Sequence, residues 1–580
     1  MGGADEPLKR MSRLRRAGGG LGQTAWPSAT LLAVPLAFLV LFFYYPLVSM
    51  LAGGLSDSVG RFNLGRVLAI LRDPYYRRII GFTFEQAFLS TLLSLALGFP
   101  GAYLLARYEF AGKRVVRALS TVPFVLPSII LVLGFVRFFG NNGVLNRLLM
   151  GLLHLREPPL RVLYSFWAIL LAHAFYNFPV AMRIISALWA RLPPTLEEAA
   201  RSLGAHGPRL FLRVTLPQLA PGVLASAALI YIFCFLSFAV VLVLGGGPRF
   251  TTLEVEIYRL AKVGLDLPAA SALALIGALL SLLALFAYLR LQARAAFAEE
   301  LELAPAGHRL SELLRRPLGF LVLLYLAFLV LVVLAPILTV VGYSLQGRAG
   351  WSVGGFSPAW YGRLLDPGEV YLRAIRNSLV FAGLTVILSV PLGTALAYLG
   401  SRRRTAGSSV LEPLLMLPLG VSTIILGLGY LQAYRALPWL GAAFGPLSGS
   451  GGWPAVVFAH TVIAYPFVVR AVSPVLRKIK PSLPEAARSL GAGSWQLFLR
   501  LELPLLKSAL LTGAAFAFGI SVGEINATLM LATPQLATMP IAVYRLIGSY
   551  NFVGASAMGT LLMLLCFLAF LVIDRMGKEL

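Results

Sequence analysis

Long apolar runs alternate with short polar loops along almost the whole chain. A helix needs about 20 apolar residues to cross the hydrocarbon core of a bilayer, and twelve runs reach about that length, six in each half. The pattern therefore predicts an all-α integral membrane protein with about twelve transmembrane helices. The predicted spans are Ala29–Leu51, Thr83–Ala106, Leu119–Phe138, Leu163–Leu188, Gly222–Leu244 and Ala269–Arg290 in the first half, and Pro317–Val341, Asn377–Leu399, Leu411–Leu431, Trp453–Val475, Ser508–Ala532 and Val553–Asp574 in the second.

The two halves of the sequence repeat each other at a constant spacing. Six pairs of identical residues are each 287 positions apart, which predicts two tandem six-helix repeats. The predicted parts are an N-terminal segment (1–28), a first membrane domain (29–290), a linker (291–316) and a second membrane domain (317–580). The pairs are Glu198 and Glu485, Gly204 and Gly491, Pro217 and Pro504, His173 and His460, Pro179 and Pro466, and Arg183 and Arg470.

Each half carries one polar island between its fourth and fifth predicted spans, Thr195–Pro217 in the first half and Ser482–Pro504 in the second. The first polar island begins with a hydroxyl residue, and Glu198 follows three positions later. This is the spacing of a capping box, so a helix is predicted to begin there. Gly204 stands where that helix would end in a left-handed turn, and Pro217 would stop a second amphipathic helix. Ser482, Glu485, Gly491 and Pro504 hold the same positions in the second polar island.

Composition agrees with a membrane protein, because 58% of the residues are hydrophobic and only 13% are charged. The 49 basic residues exceed the 24 acidic ones, which in a soluble protein would suggest nucleic-acid binding. Here the basic residues flank apolar runs and form no stripe with interleaved aromatic residues, so we expect a lipid bilayer and no nucleic acid as partner. Cys234 and Cys566 fall in predicted spans without metal-ligand spacing, which is typical of packing residues.

Basic loops indicate the orientation of the chain. Lys and Arg cluster in the N-terminal segment and after the second, eighth and tenth predicted spans, and these loops share one side if the N-terminus is cytoplasmic. The Gly53–Phe82 loop carries several arginines on the other side and goes against this trend. Six spans in each half give both halves the same topology. We therefore expect both termini, both polar islands and the linker to face the cytoplasm.

The polar islands suit two roles. A helical element that is present twice on one face suits docking to a two-fold symmetric partner, and the small residues Ala199 and Ala200 would allow that partner to approach closely. The second polar island offers Ala486 and Ala487 at the same positions. A hairpin that only braces the neighbouring spans fits the composition equally well.

The motif within each polar island resembles the EAA signature of binding-protein-dependent ABC importer permeases. Glu198-Ala199-Ala200 is followed by Gly204 and then by Leu216-Pro217, and the second copy has Glu485-Ala486-Ala487, Gly491 and Leu503-Pro504. The resemblance implies the type I ABC importer permease fold in a bacterial plasma (inner) membrane. It also implies that the motif docks to a cytoplasmic ABC ATPase dimer, and that an extracytoplasmic solute-binding protein delivers the solute.

The fused halves are similar to the thiamine and ferric-iron branch of this family. Phe235–Leu242, Leu244–Pro248 and Thr251–Glu254 resemble bacterial thiamine permeases, as do Gly548–Tyr550 and Leu564–Leu568. The resemblance implies import of thiamine into the cytoplasm. Ferric iron is the alternative substrate, because ferric-iron permeases share parts of these segments.

The sequence contains no motif for catalysis, nucleotide binding or metal binding. No stretch reads G-x-x-x-x-G-K-[ST], so the chain lacks the loop that holds ATP phosphates, and we expect ATP and Mg²⁺ on a separate ATPase subunit. The five histidines and 24 carboxylates form no metal-ligand spacing and no catalytic cluster. We therefore expect no catalytic residue, no metal site and no cofactor on this chain.

One acidic residue falls in the middle of a predicted span. A bare carboxylate in hydrocarbon costs roughly 3 kcal/mol, so Glu524, with Asn526 close by, should face the bundle interior or a cavity. One interpretation places these two residues in the substrate path. The other is a protonated or hydrogen-bonded glutamate with a structural role.

The fourth span of each half carries a histidine, His173 and His460. Such residues are more often interhelical hydrogen-bond donors than ligands, and both roles stay open here. Tyr176 and Asn177, near Pro179, could line a pathway for an aromatic cation, although aromatic residues in spans are usually packing residues. Proline and glycine interrupt many other spans, which predicts either tolerated kinks or broken helices along a pathway.

Two other classes of protein fit part of this pattern. A proton-coupled secondary transporter can also have a six-plus-six repeat, but it would need more buried ionisable residues for a proton relay. It would also have no use for two docking motifs. A membrane-embedded enzyme would need a catalytic cluster, which this sequence does not show.

Overall fold

The computed structural model describes residues 29–56, 61–110, 112–117, 126–296, 308–309, 319–347, 355–402, 414–444 and 452–577. The predicted N-terminal segment lies outside these residues, as does most of the predicted linker. The helices of the first half are α1 (Ala29–Leu39), α2 (Tyr45–Gly54), α3 (Gly65–Arg72), α4 (Pro74–Arg107), α5 (Ser128–Phe139), α6 (Val144–Leu153), α7 (Phe166–Trp189), α8 (Pro194–Ser202), α9 (Gly207–Leu210), α10 (Leu216–Phe235), α11 (Ala239–Leu244), α12 (Leu253–Tyr258) and α13 (Leu267–Ala296). Those of the second half are α14 (Gly319–Ser344), α15 (Ala359–Leu364), α16 (Val370–Arg402), α17 (Thr423–Ala436), α18 (Pro438–Phe444), α19 (Trp453–Lys478), α20 (Ser482–Ser489), α21 (Ser494–Leu497), α22 (Leu503–Gly523), α23 (Asn526–Leu531), α24 (Met539–Gly548) and α25 (Phe552–Gly577).

Helices make up nearly all of the fold. In the described part of the chain, eleven helices are long and apolar enough to cross a membrane. The count is twelve if Leu414–Gly420 and Thr423–Tyr434, which meet at 108°, form one span. This confirms an all-α membrane protein of about twelve spans. Strand β1 (Tyr108–Glu109) pairs in parallel with β2 (His308–Arg309), and this pairing joins the end of α4 to the linker.

Two predicted spans, Gly222–Leu244 and Ser508–Ala532, are not continuous helices. Three residues separate α10 from α11, and two residues separate α22 from α23. At the second break the backbone of Glu524 is extended rather than helical. The prediction was wrong because hydropathy counts apolar residues, which continue past both breaks, and takes no account of backbone conformation. The predicted Gly53–Phe82 loop is also partly helical, since it contains α3 and the first two turns of α4.

The second and fourth spans of each half cross at a glycine. A Cβ atom at Gly98 of α4 would stand 2.6 Å from the carbonyl oxygen of Phe178 on α7. At Gly393 of α16 it would stand 3.0 Å from the carbonyl oxygen of Tyr465 on α19. Phe178 and Tyr465 are 287 positions apart. The same close helix crossing is therefore built twice, as a tandem repeat requires.

The first helix of each half packs on the other half. Helix α2 lies between α13 of its own half and α17 of the second, and α14 lies between α25 and α5. Glycines allow both contacts, because a Cβ at Gly429 would come within 2.6 Å of the Pro46 carbonyl oxygen, and one at Gly134 within 2.9 Å of Pro336 Cβ. The two halves are therefore interlocked rather than placed side by side.

Candidate functional site

Both polar islands contain the predicted left-handed turn. The chain turns at Gly204, two residues after the end of α8, where φ is +84°, and at Gly491, two residues after the end of α20, where φ is +85°. In the first polar island the Gly204 amide donates to Arg201 O at 2.9 Å, and the Ala205 amide donates to Ala200 O at 2.9 Å. These two bonds form a Schellman motif, which a glycine at this position stabilises. The predicted turns are confirmed.

The predicted capping boxes are absent. Helix α8 begins after Pro193 and α20 after Pro481, and neither helix start has a side-chain cap. Proline fixes a backbone angle that suits a helix start, so the helices do not need the hydroxyl residues as caps. Glu198 and Glu485 are therefore not used for capping, and both side chains are exposed. They are available to a partner.

Pro217 and Pro504 do not end a helix, which corrects the prediction that each proline stops the second helix of its polar island. In the first half α9 continues through a π-turn at Phe211–Thr215 into α10, and the Leu216 amide bonds to Phe211 O five residues earlier. The wider turn shifts the hydrogen-bond register, so the helix continues although the proline that follows has no N–H to donate. The second half repeats this at Phe498–Glu502. Each polar island is therefore continuous with the fifth span.

Glu197, which the sequence analysis did not single out, ties α8 to the membrane domain. Its Oε1 lies 2.6 Å from Nη2 of Arg107 at the end of α4, and it accepts from the Thr215 hydroxyl at 3.0 Å. Both charged side chains are mostly buried, with exposed fractions of 16% and 18%. The Glu197 carboxylate therefore joins α8, α4 and the π-turn. The sequence signal was an acidic residue directly before the E-A-A motif.

The second half places its carboxylate on a different element. Pro484 stands where the first half has Glu197, and Glu502 stands where it has Thr215. The Tyr398 hydroxyl of α16 donates to the buried Glu502 carboxylate. The carboxylate of the second half therefore lies on the π-turn and joins it to α16, whereas in the first half α8 itself carries the acidic group.

A cavity of about 370 Å³, the central cavity, lies between the two halves. Its wall includes α7, both breaks in the fifth spans and the first residues of α5 and α17. Five of the six residues predicted for a substrate pathway line it, namely His173, Tyr176, Asn177, Glu524 and Asn526. Thr423, Phe467, Phe516 and Phe570 also line it, and sequence reasoning missed them because no residue pattern distinguishes them from the packing residues of their spans.

The structure holds Glu524 by hydrogen bonds. Its carboxylate accepts from the amides of Ala527 and Thr528, both at 3.0 Å, and from the Thr528 hydroxyl at 2.9 Å. His460 Nε2 lies 3.6 Å away. A carboxylate at the start of α23 compensates the free amides of that helix. Glu524 thus both lines the cavity and caps a helix, which combines the two interpretations of its role.

The two histidines fasten the broken fifth spans to the fourth spans. His173 lies 3.1 Å from Ser90 Oγ and 2.7 Å from Ser237 Oγ. His460, the one predicted pathway residue that does not line the cavity, lies 2.7 Å from Ser521 Oγ and 2.8 Å from Thr528 Oγ1. Both ring nitrogens are engaged in each case. This is the geometry of interhelical hydrogen bonding.

Comparison with known proteins finds relatives across nearly the whole chain. A family profile described as "Binding-protein-dependent transport system inner membrane component" matches residues 90–297 and again residues 389–579. The thiamine transport system permease protein ThiP of Escherichia coli (strain K12) is 30% identical over 510 residues, which cover 88% of this chain and 90% of that protein. The putative ferric transport system permease protein FbpB 1 of Haemophilus influenzae is 26% identical over 512 residues, which cover 85% of this chain and 77% of that protein.

Among solved structures, a bacterial ABC transporter involved in the import of the acidic polysaccharide alginate aligns with 46% of this chain and 94% of its own, at 19% identity and a TM-score of 0.38. The family profile matches each half of the chain separately. The predicted tandem duplication is therefore confirmed.

Proposed function

The chain belongs to the family of binding-protein-dependent transport system inner membrane components, and from this premise we propose that it is the permease subunit of an ABC importer for thiamine. The family domain is present in both halves, so one polypeptide supplies both lobes of the pathway. Thiamine is favoured because the thiamine relative is more similar and aligns over more of its own length than the ferric one. Ferric iron is the second candidate.

The continuity between each polar island and the cavity wall supports this function most directly. A single membrane-crossing helix runs from Gly207 to Phe235, and Phe233, near its far end, lines the central cavity. The second half has the same arrangement between Ser494 and Gly523. A force on either polar island is therefore carried to the cavity by a rigid helix, so closure of a partner on both islands rocks the two halves.

The partner on the polar islands is proposed to be a cytoplasmic ABC ATPase dimer. Two exposed E-A-A motifs in matching positions suit a two-fold symmetric partner, and ATP and Mg²⁺ would bind to that partner. Both polar islands, and with them both termini, then face the cytoplasm, in agreement with the basic loops.

The opposite end of the bundle suits an extracytoplasmic solute-binding protein with an acidic docking face. Exposed arginines recur there at matching positions of the two halves, Arg78 with Arg373 and Arg259 with Arg545. Arg259 pairs with the buried Glu256 carboxylate at 2.9 Å and also contacts the Tyr75 hydroxyl at the start of α4, 2.7 Å away. The Tyr75 contact places these arginines near one another in the first half. This proposal accounts for the basic loop that goes against the orientation trend, because opposite charges attract and orient a docking partner.

Uptake into proteoliposomes tests the proposed function. The chain is reconstituted with its ATPase and solute-binding subunits, and radiolabelled thiamine is supplied on the binding-protein side. We expect uptake that requires ATP on the polar-island side and does not follow an imposed proton gradient. Uptake of iron but not thiamine would replace the substrate, and uptake driven by the proton gradient without ATP would refute the importer mechanism.

A further inference from the structure

Three side-chain oxygens around the central cavity are buried without a hydrogen-bond partner among the residues that the structure describes. They are Asn177 Oδ1 on α7, Thr423 Oγ1 at the start of α17 and Asn526 Oδ1 at the start of α23. More than 90% of buried polar groups in proteins are paired, because an unpaired one is costly. Three such oxygens from both halves around one cavity therefore indicate a polar ligand. The two amide oxygens only accept, so the ligand must donate hydrogen bonds to them, whereas the Thr423 hydroxyl can donate or accept.

The orientation of the Asn177 amide is fixed by its surroundings. Its Nδ2 donates to His173 O at 3.0 Å and contacts Cys234 Sγ at 3.4 Å. Exchanging the oxygen and nitrogen would place the Asn177 oxygen against the His173 carbonyl, which cannot donate. The residue is 1% exposed. Its free atom is therefore an acceptor.

The protein itself already engages most of the charged group of the cavity. The carboxylate of Glu524 already accepts two amide bonds and one hydroxyl bond at the start of α23. Its negative charge still acts across the cavity, but these donors take three of its about four acceptor positions. Among the described residues no three His, Cys, Asp or Glu side chains lie close enough to hold a metal ion. A bare ferric ion, which requires several anionic oxygens, does not fit this donor set.

Aromatic side chains form part of the cavity wall. Phe467 and Phe516 lie with their ring centroids 6.3 Å apart, and Phe570 meets Phe516 edge to face at 5.7 Å. Tyr176 and Phe233 contribute from the first half. Such a wall favours a flat ring, and aromatic faces attract a cationic one.

We propose that the central cavity is a solute-binding site of the permease itself, selective for an aromatic cation that donates hydrogen bonds through an amino group. Asn177, Thr423 and Asn526 are its specificity-determining residues. The aminopyrimidine of thiamine supplies such a donor and its thiazolium ring supplies the cation. This inference rests on the proposed function and adds that selection occurs in the membrane as well as in the binding protein.

Equilibrium dialysis on the purified permease–ATPase complex, without the solute-binding protein, tests the site. The probes are thiamine and oxythiamine, in which a carbonyl oxygen replaces the exocyclic amino group. We expect the wild-type complex to bind thiamine at least about tenfold more tightly than oxythiamine, since one buried hydrogen bond is worth about that factor. Thr423→Val and Asn526→Ala should each weaken thiamine binding about tenfold and reduce the preference over oxythiamine.

Two further variants separate recognition from folding. Thr423→Ser keeps the hydroxyl and should bind thiamine like the wild type. Thr394→Val makes the same isosteric change at a buried hydroxyl that bonds to Val390 O at 2.7 Å. Thr394 does not line the cavity, so this variant should change neither affinity. Equal binding of both probes, no binding by the wild type, or unchanged Thr423→Val and Asn526→Ala variants would overturn the inference. ATP-driven thiamine uptake would survive any of these results, whereas its absence would refute the proposed function instead.

Discussion

Glu197 precedes the E-A-A motif by one position and carries the ion pair that fixes the first polar island. Glu197→Gln removes the charge that Arg107 and Thr215 share, and the loss of such a mostly buried interaction costs about 1–3 kcal/mol. We expect ATP-driven uptake to fall several-fold while the protein still inserts, because α8 loses its connection to α4. Uptake into proteoliposomes at equal protein amounts measures the change.

Glu157→Gln is the matched control for this substitution. Glu157 also pairs with an arginine, Arg161 at 2.8 Å, but the two side chains are 78% and 72% exposed, and such pairs contribute little. Equal uptake by the Glu197 and Glu157 variants would show that the ion pair at α8 does not transmit force.

Glu485 is exposed and unused for capping, so we expect it to serve the partner. Glu485→Arg should leave insertion unchanged, because an exposed substitution usually shifts stability by less than about 0.5 kcal/mol. It should remove most of the co-purifying ATPase, since charge reversal at an interface is strongly unfavourable. Glu369→Arg makes the same change at an exposed position before α16, at the other end of the bundle. Undiminished ATPase in the Glu485 variant would contradict the docking proposal.

The sequence predicted some of these residues and missed others. The duplicated motif was recognisable because both copies keep the same residues at the same spacing. The use of Glu485 as a cap was wrong, because the nearby proline already sets the helix start. The partners of Glu197 and the surroundings of Thr423 are distant in sequence and meet only in the folded protein. Arg107 is 90 residues from Glu197, and the cavity around Thr423 is lined by residues of both halves. No local pattern reveals such contacts.

At the scale of elements, the left-handed turn defines the shape of each polar island. Gly204→Pro cannot adopt a φ of +84° and removes the amide that bonds to Arg201 O. We expect it to abolish ATPase stimulation while the spans still insert. Gly204→Ala should show an intermediate effect, because an alanine in this conformation costs about 1 kcal/mol. Normal ATPase stimulation in the proline variant would show that the turn is dispensable.

Glycine crossings set how closely the second and fourth spans approach. A Cβ at Gly393 would meet Val468 Cβ at 2.6 Å, so Gly393→Ala should lower stability by about 1–3 kcal/mol. Gly383 lies on the same helix with nothing within 4 Å of an added Cβ. Gly383→Ala should therefore be neutral or gain up to about 1 kcal/mol of helix propensity. Thermal unfolding in detergent compares the two, and a Gly393 variant as stable as the Gly383 variant would contradict the close crossing.

The number and type of elements followed from hydropathy, and their continuity did not. The apolar residues of Ser508–Ala532 extend across the break, so only the extended backbone of Glu524 reveals it. The π-turn at Phe211–Thr215 was missed for a different reason. Pro217 predicts the end of a helix, but the helix continues through this residue. Both features depend on backbone hydrogen bonds that a residue pattern does not specify.

At the scale of the whole molecule, the first helix of each half packs on the other half and so joins the two halves. Co-expressed chains covering residues 1–300 and 301–580 should therefore assemble and co-purify. The first chain alone should be unstable, since α2 would lose its packing on α17 and α5 its packing on α14. Affinity capture of one tagged chain measures this, and a stable, monodisperse first half would show that each half folds independently.

Because the two halves are fused, their sequences can differ, and this affects how a solute binds in the cavity. The histidine pair is the same on both sides of the central cavity, yet Ser237 occupies the position that corresponds to Glu524, and Ala464 the one that corresponds to Asn177. A pore made of two identical copies would present the same side chains to either end of a solute. The two sides of this cavity differ, so a solute with two unlike rings can bind in a single orientation.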